Sequence, residues 1–92
     1  MIVRILGEGQ LAVDDAMADE LNKLDVKLEA AVNAGDEAAL RPILAELLAR
    51  IRAVGTPVPA DTLEPSDVIL PYADASIADV RGLLSDEGLI PG

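Results

Sequence analysis

The chain opens with two short runs of apolar and β-branched residues, separated by a glycine-bounded turn. The runs are residues 2–6 and 10–13, with Gly7-Glu8-Gly9 between them. Because glycine readily adopts the left-handed backbone that a three-residue hairpin turn needs, this pattern predicts a β-hairpin. A two-stranded hairpin is only marginally stable alone, so we expect it to pack against other elements of the chain.

Apolar residues then recur at helical spacing in two successive stripes. In each stripe the intervals are 4, 3, 4 and 3 residues, which place five side chains on one side of an α-helix. The pattern therefore predicts two amphipathic helices. Their stripes are Met17, Leu21, Leu24, Leu28 and Ala31 in the first, and Leu40, Leu44, Leu47, Ile51 and Val54 in the second.

Capping residues mark the ends of both helices. Asp14 or Asp15 can accept hydrogen bonds from the first amides of the first helix, and Asp36 can do the same for the second. Gly35 suits the left-handed position that closes the first helix, and Gly55-Thr-Pro ends the second. Since the connection is so short, the two helices should fold back as an antiparallel helical hairpin.

Pro42 disagrees with the second helical stripe. Its ring removes a backbone donor and disfavours helical geometry at Arg41. We therefore expect a kink at Pro42 or a delayed start of the helix.

The exposed faces of both helices carry opposite charges four residues apart. Such pairs contribute only about 0.2–0.5 kcal/mol each, so they indicate a solvated surface rather than a site. The expected pairs are Asp19 with Lys23, Glu37 with Arg41, and Glu46 with Arg50.

The last third of the chain predicts a connector, a strand and a helix. Residues 56–66 contain three prolines and are typical of an extended connector, and residues 67–70 predict a third strand that Pro71 stops. Ser76 and Asp79 have the spacing of a capping box at the start of the final helix. Its apolar positions are Ile77, Val80, Leu83 and Leu84, and Gly88 can form its C-terminal cap.

The order of elements is β-β-α-α-β-α, which predicts an α+β fold: an N-terminal β-hairpin, an antiparallel helical hairpin, a third short strand and a C-terminal helix. At 92 residues, we expect residues 1–92 to form a single domain. A core of this size leaves a small net stability, and association into a homo-oligomer is a common remedy.

Charge excludes several classes of partner. Seven Lys and Arg face seventeen Asp and Glu, a formal net charge of −10. Such a surface repels nucleic-acid backbones and anionic lipid headgroups, so we expect neither nucleic-acid binding nor direct membrane insertion. No apolar run approaches the roughly 20 residues that span a bilayer, and no secretory signal is visible. We therefore expect a cytoplasmic location.

The residues that usually carry catalysis are absent or badly placed. The chain has no His and no Cys, so Ser66 and Ser76 have no imidazole to activate them. The adjacent acidic pairs, 14–15 and 86–87, lie near helix ends and lack the alternating ligand spacing of a calcium loop. We therefore expect no enzymatic activity, no catalytic or metal-binding residues and no cofactor.

Two features could contact another protein. A helical pair with this spacing can take up a third helix from a partner in coiled-coil fashion, although burial of both stripes within the domain is favoured. The apolar Leu89-Ile90 pair after the final helix is the best candidate for a partner-binding surface. Folding of this pair back onto the sheet is at least as plausible an alternative.

The whole chain resembles the PspA-associated protein family, PspAA. The similarity rests on short segments that occur together and in the family's order. They are residues 1–10, with the strand–Gly-x-Gly–strand start, 20–25, 34–36, 55–59, 63–71 and 84–92.

The resemblance implies a role beside phage-shock-protein A, a coiled-coil protein of membrane stress that assembles on the inner leaflet. It implies a non-enzymatic accessory protein that binds a PspA-like coiled coil. It also implies that this partner recruits the accessory protein to the inner face of the membrane. The alternative is a homo-oligomeric structural or regulatory domain with an unrelated protein partner.

Overall fold

The N-terminal residues form the predicted β-hairpin, with β1 at Ile2–Ile5 antiparallel to β2 at Gly9–Ala12. The computed structural model describes residues 1–59, 61, 64–84 and 89–90. In the turn, Gly7 has a φ of +83°. A Cβ atom built on Gly7 would lie 2.8 Å from a ring carbon of Tyr72, so both the backbone and the neighbouring ring favour glycine there.

Two long helices follow and form the predicted helical hairpin. The predicted cap of the first helix by Asp14 or Asp15 is wrong, because its N-cap is Met17, which makes no side-chain hydrogen bond there. Asp14 caps a single 3₁₀ turn at Asp15–Met17, which leads directly into α1 at Ala18–Ala34. Gly35 closes α1 with a φ of +68°. The carboxylate of Asp36 then accepts a 3.1 Å hydrogen bond from the amide of Ala39 and begins α2 at Glu37–Val54.

Pro42 does not delay the second helix, so that alternative is wrong. α2 is continuous from Glu37 and contains Pro42 in its second turn. The Asp36 cap fixes the first turn, and fully buried Leu40 lies in the core before the proline is reached. The cap and the burial of Leu40 together stabilise the helix by more than the missing amide of Pro42 destabilises it. A kink at Pro42 stays a prediction.

The ion pairs between helix residues only partly match the expected set. Glu37 and Arg41 approach to 4.0 Å, as predicted. The Glu46–Arg50 prediction is wrong because Arg50 instead pairs with Glu20 at 2.7 Å. This contact joins the start of α1 to the end of α2, as antiparallel packing requires. No Asp19–Lys23 ion pair occurs among the described residues.

The sheet has four strands in the order β3-β2-β1-β4. The predicted third strand is β4 at Val68–Leu70, and it pairs parallel to β1. The prolines of residues 56–66 predicted a connector throughout, which is wrong at its start, because Thr56–Pro57 forms β3 and pairs antiparallel to β2. A two-residue strand with a proline lies naturally at a sheet edge, where one missing donor matters little.

Residues 64–66, which precede β4, lie on the side of the sheet opposite the helices. Arg4 and Gln10 are paired across β1 and β2 and so share one face, whereas their neighbour Ile5 is in the core. The side-chain amide of Gln10 donates to the Ser66 hydroxyl at 2.7 Å and to the backbone carbonyl of Glu64 at 2.9 Å. Arg4 also donates to Ser66, at 3.4 Å. This segment therefore covers part of the outer sheet face.

The last helix, α3 at Ile77–Leu83, begins with the predicted capping box. The Asp79 amide donates to the Ser76 hydroxyl at 3.2 Å, and the Ser76 amide donates to the Asp79 carboxylate at 3.1 Å. α3 ends at Leu83 with Leu84 as its cap, so Leu84 is not inside the helix as predicted. The predicted cap at Gly88 lies outside the described residues.

Both helical stripes contribute to one hydrophobic core between the helices and the inner sheet face. All ten stripe positions belong to this core or pack against it, as predicted. Val32 and Leu48 are also buried, although they lie beside the stripes rather than on them. The result is an α+β fold, as the order of elements predicts.

Candidate functional site

The C-terminal apolar pair lies in the core and is held there by a buried carboxylate. Leu89 and Ile90 are 5% and 1% exposed. Their backbone amides donate to the two oxygens of Asp25 on α1, at 3.1 and 2.9 Å. Asp25 is itself only 3% exposed and is the one buried polar or charged residue of the described core. One side chain thus joins α1 to residues more than sixty positions away.

Burial raises the pKa of the Asp25 carboxyl above its ordinary value, because a charged carboxylate loses hydration in the core. The hydrogen bonds from Ile90 and Leu89 oppose this shift by stabilising the charged form, and the nearby charge of Glu29 adds slightly to it. Asp25 therefore holds the Leu89-Ile90 segment in the core, although burial of its charge is unfavourable.

The role of Asp25 was not predicted from the sequence. The position lies four residues after Leu21 and three before Leu28, at the border of the buried stripe. That border position was the available signal, but aspartate is normally exposed and its backbone partners are remote in sequence. Partner binding by Leu89 and Ile90 stays a prediction. In this conformation neither side chain is accessible, so such binding would require the tail to leave Asp25.

Two of the grooves that the described residues form are open enough for a ligand to enter. One, of about 390 Å³, lies between Tyr72 and α3, and Asp79 is its only titratable carboxylate. That carboxylate is already engaged in the capping box. The other, of about 280 Å³, lies between α1 and α2, where Arg50 is neutralised by Glu20. Neither groove presents an unengaged acid–base pair.

Several of the acidic side chains have structural partners. Asp14, Asp36 and Asp79 cap helices, and Asp67 accepts a 2.7 Å hydrogen bond from the amide of Ile2. Glu8 in the hairpin turn pairs with Arg52 at 2.7 Å, and this hydrogen bond lowers the pKa of Glu8. Within the part of the chain that is described, no three acidic residues are grouped to hold a metal ion.

The outer face of α1 differs from the rest of the surface. It carries Val26, which is 66% exposed and the most exposed large apolar residue described. Lys23 and Lys27 flank it, and they are the only lysines of the chain. Among the described residues neither lysine has an ion-pair or hydrogen-bond partner. This surface combines an apolar centre with two available positive charges.

Similarity to known proteins is found at the level of a family. No helix in the described ranges is both long and apolar enough to cross a membrane. Neither the curated proteins nor the solved structures include a significant match to this chain. The family model of PspAA, PspA-Associated protein, matches residues 1–92. The chain therefore belongs to the PspA-associated protein family.

Proposed function

We propose that residues 1–92 form one non-enzymatic accessory domain of a PspA-type membrane-stress response, and that the domain acts by binding PspA, a coiled-coil protein. The observation that carries this proposal is the family match over the whole chain, since the family's name, PspA-Associated protein, points to an association with PspA. The proposed location is the cytoplasm, with recruitment to the inner face of the membrane through PspA.

The charge of the domain supports recruitment through a protein rather than through lipid. Its formal net charge is −10, so an anionic leaflet repels it over distances of about a Debye length. Val26 lies on α1, whereas Tyr72 lies in the connection after β4. These two exposed large apolar side chains therefore do not form the continuous apolar face of a membrane-surface helix. A protein contact does not face this electrostatic barrier.

The test combines binding with membrane flotation. Purified PspA from the organism that encodes this chain is titrated with the domain, and both are floated with anionic liposomes, separately and together. We expect direct binding and flotation of the domain only when PspA is present. Ovalbumin, another acidic protein, serves as the control for nonspecific capture.

Two results would contradict the proposal. Failure of the domain to bind PspA would favour the alternative, a homo-oligomeric structural or regulatory domain with another protein partner. Sedimentation equilibrium of the isolated domain would then measure its oligomeric state directly. Flotation of the isolated domain would instead show that it binds lipid itself.

A further inference from the structure

The outer face of α1 repeats the helical spacing of the buried face. Asp19, Lys23, Val26, Ala30 and Asn33 follow one another at intervals of 4, 3, 4 and 3, and all five are exposed. A seam with this spacing is suited to contact along another helix. α1 has 17 residues, which gives it a length of about 25 Å for such a contact.

The arginines and lysines of the domain differ in whether they have a partner within it. Every one of the five arginines has a partner inside the domain: Arg4 with Ser66, Arg41 with Glu37, Arg50 with Glu20, Arg52 with Glu8, and Arg81 with the Val32 carbonyl. The two lysines have none among the described residues. Both lie on the outer face of α1, so the cations still available for a partner are placed together.

We infer that the outer face of α1 is the docking surface for an acidic helix of the partner protein, with small apolar residues opposite Val26 and Ala30 and carboxylates opposite Lys23 and Lys27. The inference rests on the proposed function and specifies its contact surface. Asp19 makes the start of this face acidic, as is the rest of the domain, so an acidic helix is attracted around Lys23 and Lys27 and repelled elsewhere. Such a distribution fixes where the partner binds and in which register.

The central apolar contact should provide much of the binding energy, and the lysines should provide orientation. Val26 would lose its exposure when covered by a helix, which removes apolar surface from water. The contacts of Lys23 and Lys27 would lie at the rim, where charges chiefly affect association and its dependence on salt. Replacing either lysine by glutamate turns attraction into repulsion.

The first experiment measures the affinity of variants for PspA by titration calorimetry. Lys23→Glu and Lys27→Glu should each weaken binding about fivefold or more, and Val26→Ser should weaken it about threefold or more. Arg41→Glu makes the same charge change on α2, and Ile69→Ser makes the same kind of change at an exposed residue of β4. These two controls should alter the affinity less than about twofold. Thermal melts of all five variants verify that each one folds.

The second experiment tests the charge of the partner surface directly. Carbodiimide joins an amine to a carboxylate without a spacer, so it should link Lys23 and Lys27 to Asp or Glu residues three or four positions apart in one helix of PspA. The affinity of the unaltered domain should also fall as salt is raised. The Lys→Glu variants should lose most of this salt dependence.

The outcomes separate this inference from the proposed function. If the domain binds PspA and all three α1 variants bind equally well, the inference is wrong and the proposed function stands. If the unaltered domain does not bind PspA, both fail. Flotation of the isolated domain on anionic vesicles that Lys23→Glu abolishes would assign this face to lipid, and would also overturn the inference.

Discussion

At the scale of single residues, Asp25 has the clearest effect on the structure. Its two oxygens satisfy two consecutive backbone amides in the core, and those amides would otherwise be buried without partners. Burial of its charge is unfavourable, whereas the hydrogen bonds are favourable. Asp25 therefore stabilises the fold by linking α1 to the Leu89-Ile90 segment, not by the burial of its own charge.

Replacing Asp25 by alanine should destabilise the domain by about 1–3 kcal/mol, because both amides lose their acceptor. Urea denaturation measures the effect. Asp19→Ala, on the exposed side of the same helix, should stay within about 0.5 kcal/mol of the unaltered protein. Equal stability of the two variants would show that the Leu89-Ile90 segment does not depend on Asp25.

The raised pKa of Asp25 also predicts how this residue responds to pH. The carboxyl of Asp25 binds its proton more tightly in the folded state than in the unfolded state. Its contribution to the free energy of unfolding is therefore greatest below the pKa of the unfolded state and declines as pH rises through the pKa of the folded state. Compared with Asp25→Asn, which does not titrate, the unaltered protein should therefore gain stability from pH 7 towards pH about 4. An opposite trend in paired urea melts would contradict a raised pKa.

At the scale of elements, α2 contains a residue that opposes its own helix. Pro42 lacks the amide that would bond to the carbonyl four residues earlier, and its side chain is exposed. The helix persists because one face of it is buried along its length, including Leu40, Leu44 and Leu47. Packing therefore overrides local preference in this element.

Pro42→Ala should stabilise the domain by about 1–3 kcal/mol, because it restores a backbone donor and removes a clash. A gain of this size should raise the midpoint of a thermal melt by several degrees. Ala45→Pro, on the exposed side of the next turn, should have the opposite effect. A lower melting temperature for Pro42→Ala would show that the proline serves a purpose in the folded chain.

The elements differ in how far the sequence alone could predict them. Periodicity and capping residues predicted α1, α2, α3 and the hairpin, because the determinants of these elements are local. β3 was missed because two residues have no periodicity, and its strand character comes entirely from pairing with β2. The same limit applies to Arg50, whose partner Glu20 depends on how the helices pack.

At the scale of the whole molecule, the distribution of charge matters more than its sum. A net charge of −10 suggests a uniformly acidic body, yet Lys23 and Lys27 lie together on one face of one helix. The sequence showed each lysine but could not show that the arginines are engaged elsewhere. For the same reason the sequence pattern indicates a surface position for the Leu89-Ile90 pair, since the hydrogen bonds from its amides to Asp25 depend on tertiary structure.

Acidity alone does not make a binding site for divalent cations. Calcium and magnesium need several oxygen ligands converging on one point, whereas the acidic side chains that cap helices or form ion pairs here lie on different elements. We therefore expect either ion at about 5 mM to shift the melting temperature no more than NaCl of equal ionic strength. A saturable rise of several degrees would demonstrate a metal site.

The parallel pairing of β1 with β4 has a consequence for synthesis of the chain. β1 leaves the ribosome first, but Val3 pairs with Val68, which is translated 65 residues later. At about 5–20 residues per second, this central strand has an open edge for roughly 3–13 s. An open edge can pair with a strand of another nascent chain. Translation that stops before β4 would therefore release a product whose central strand remains an edge, and such truncated chains should aggregate.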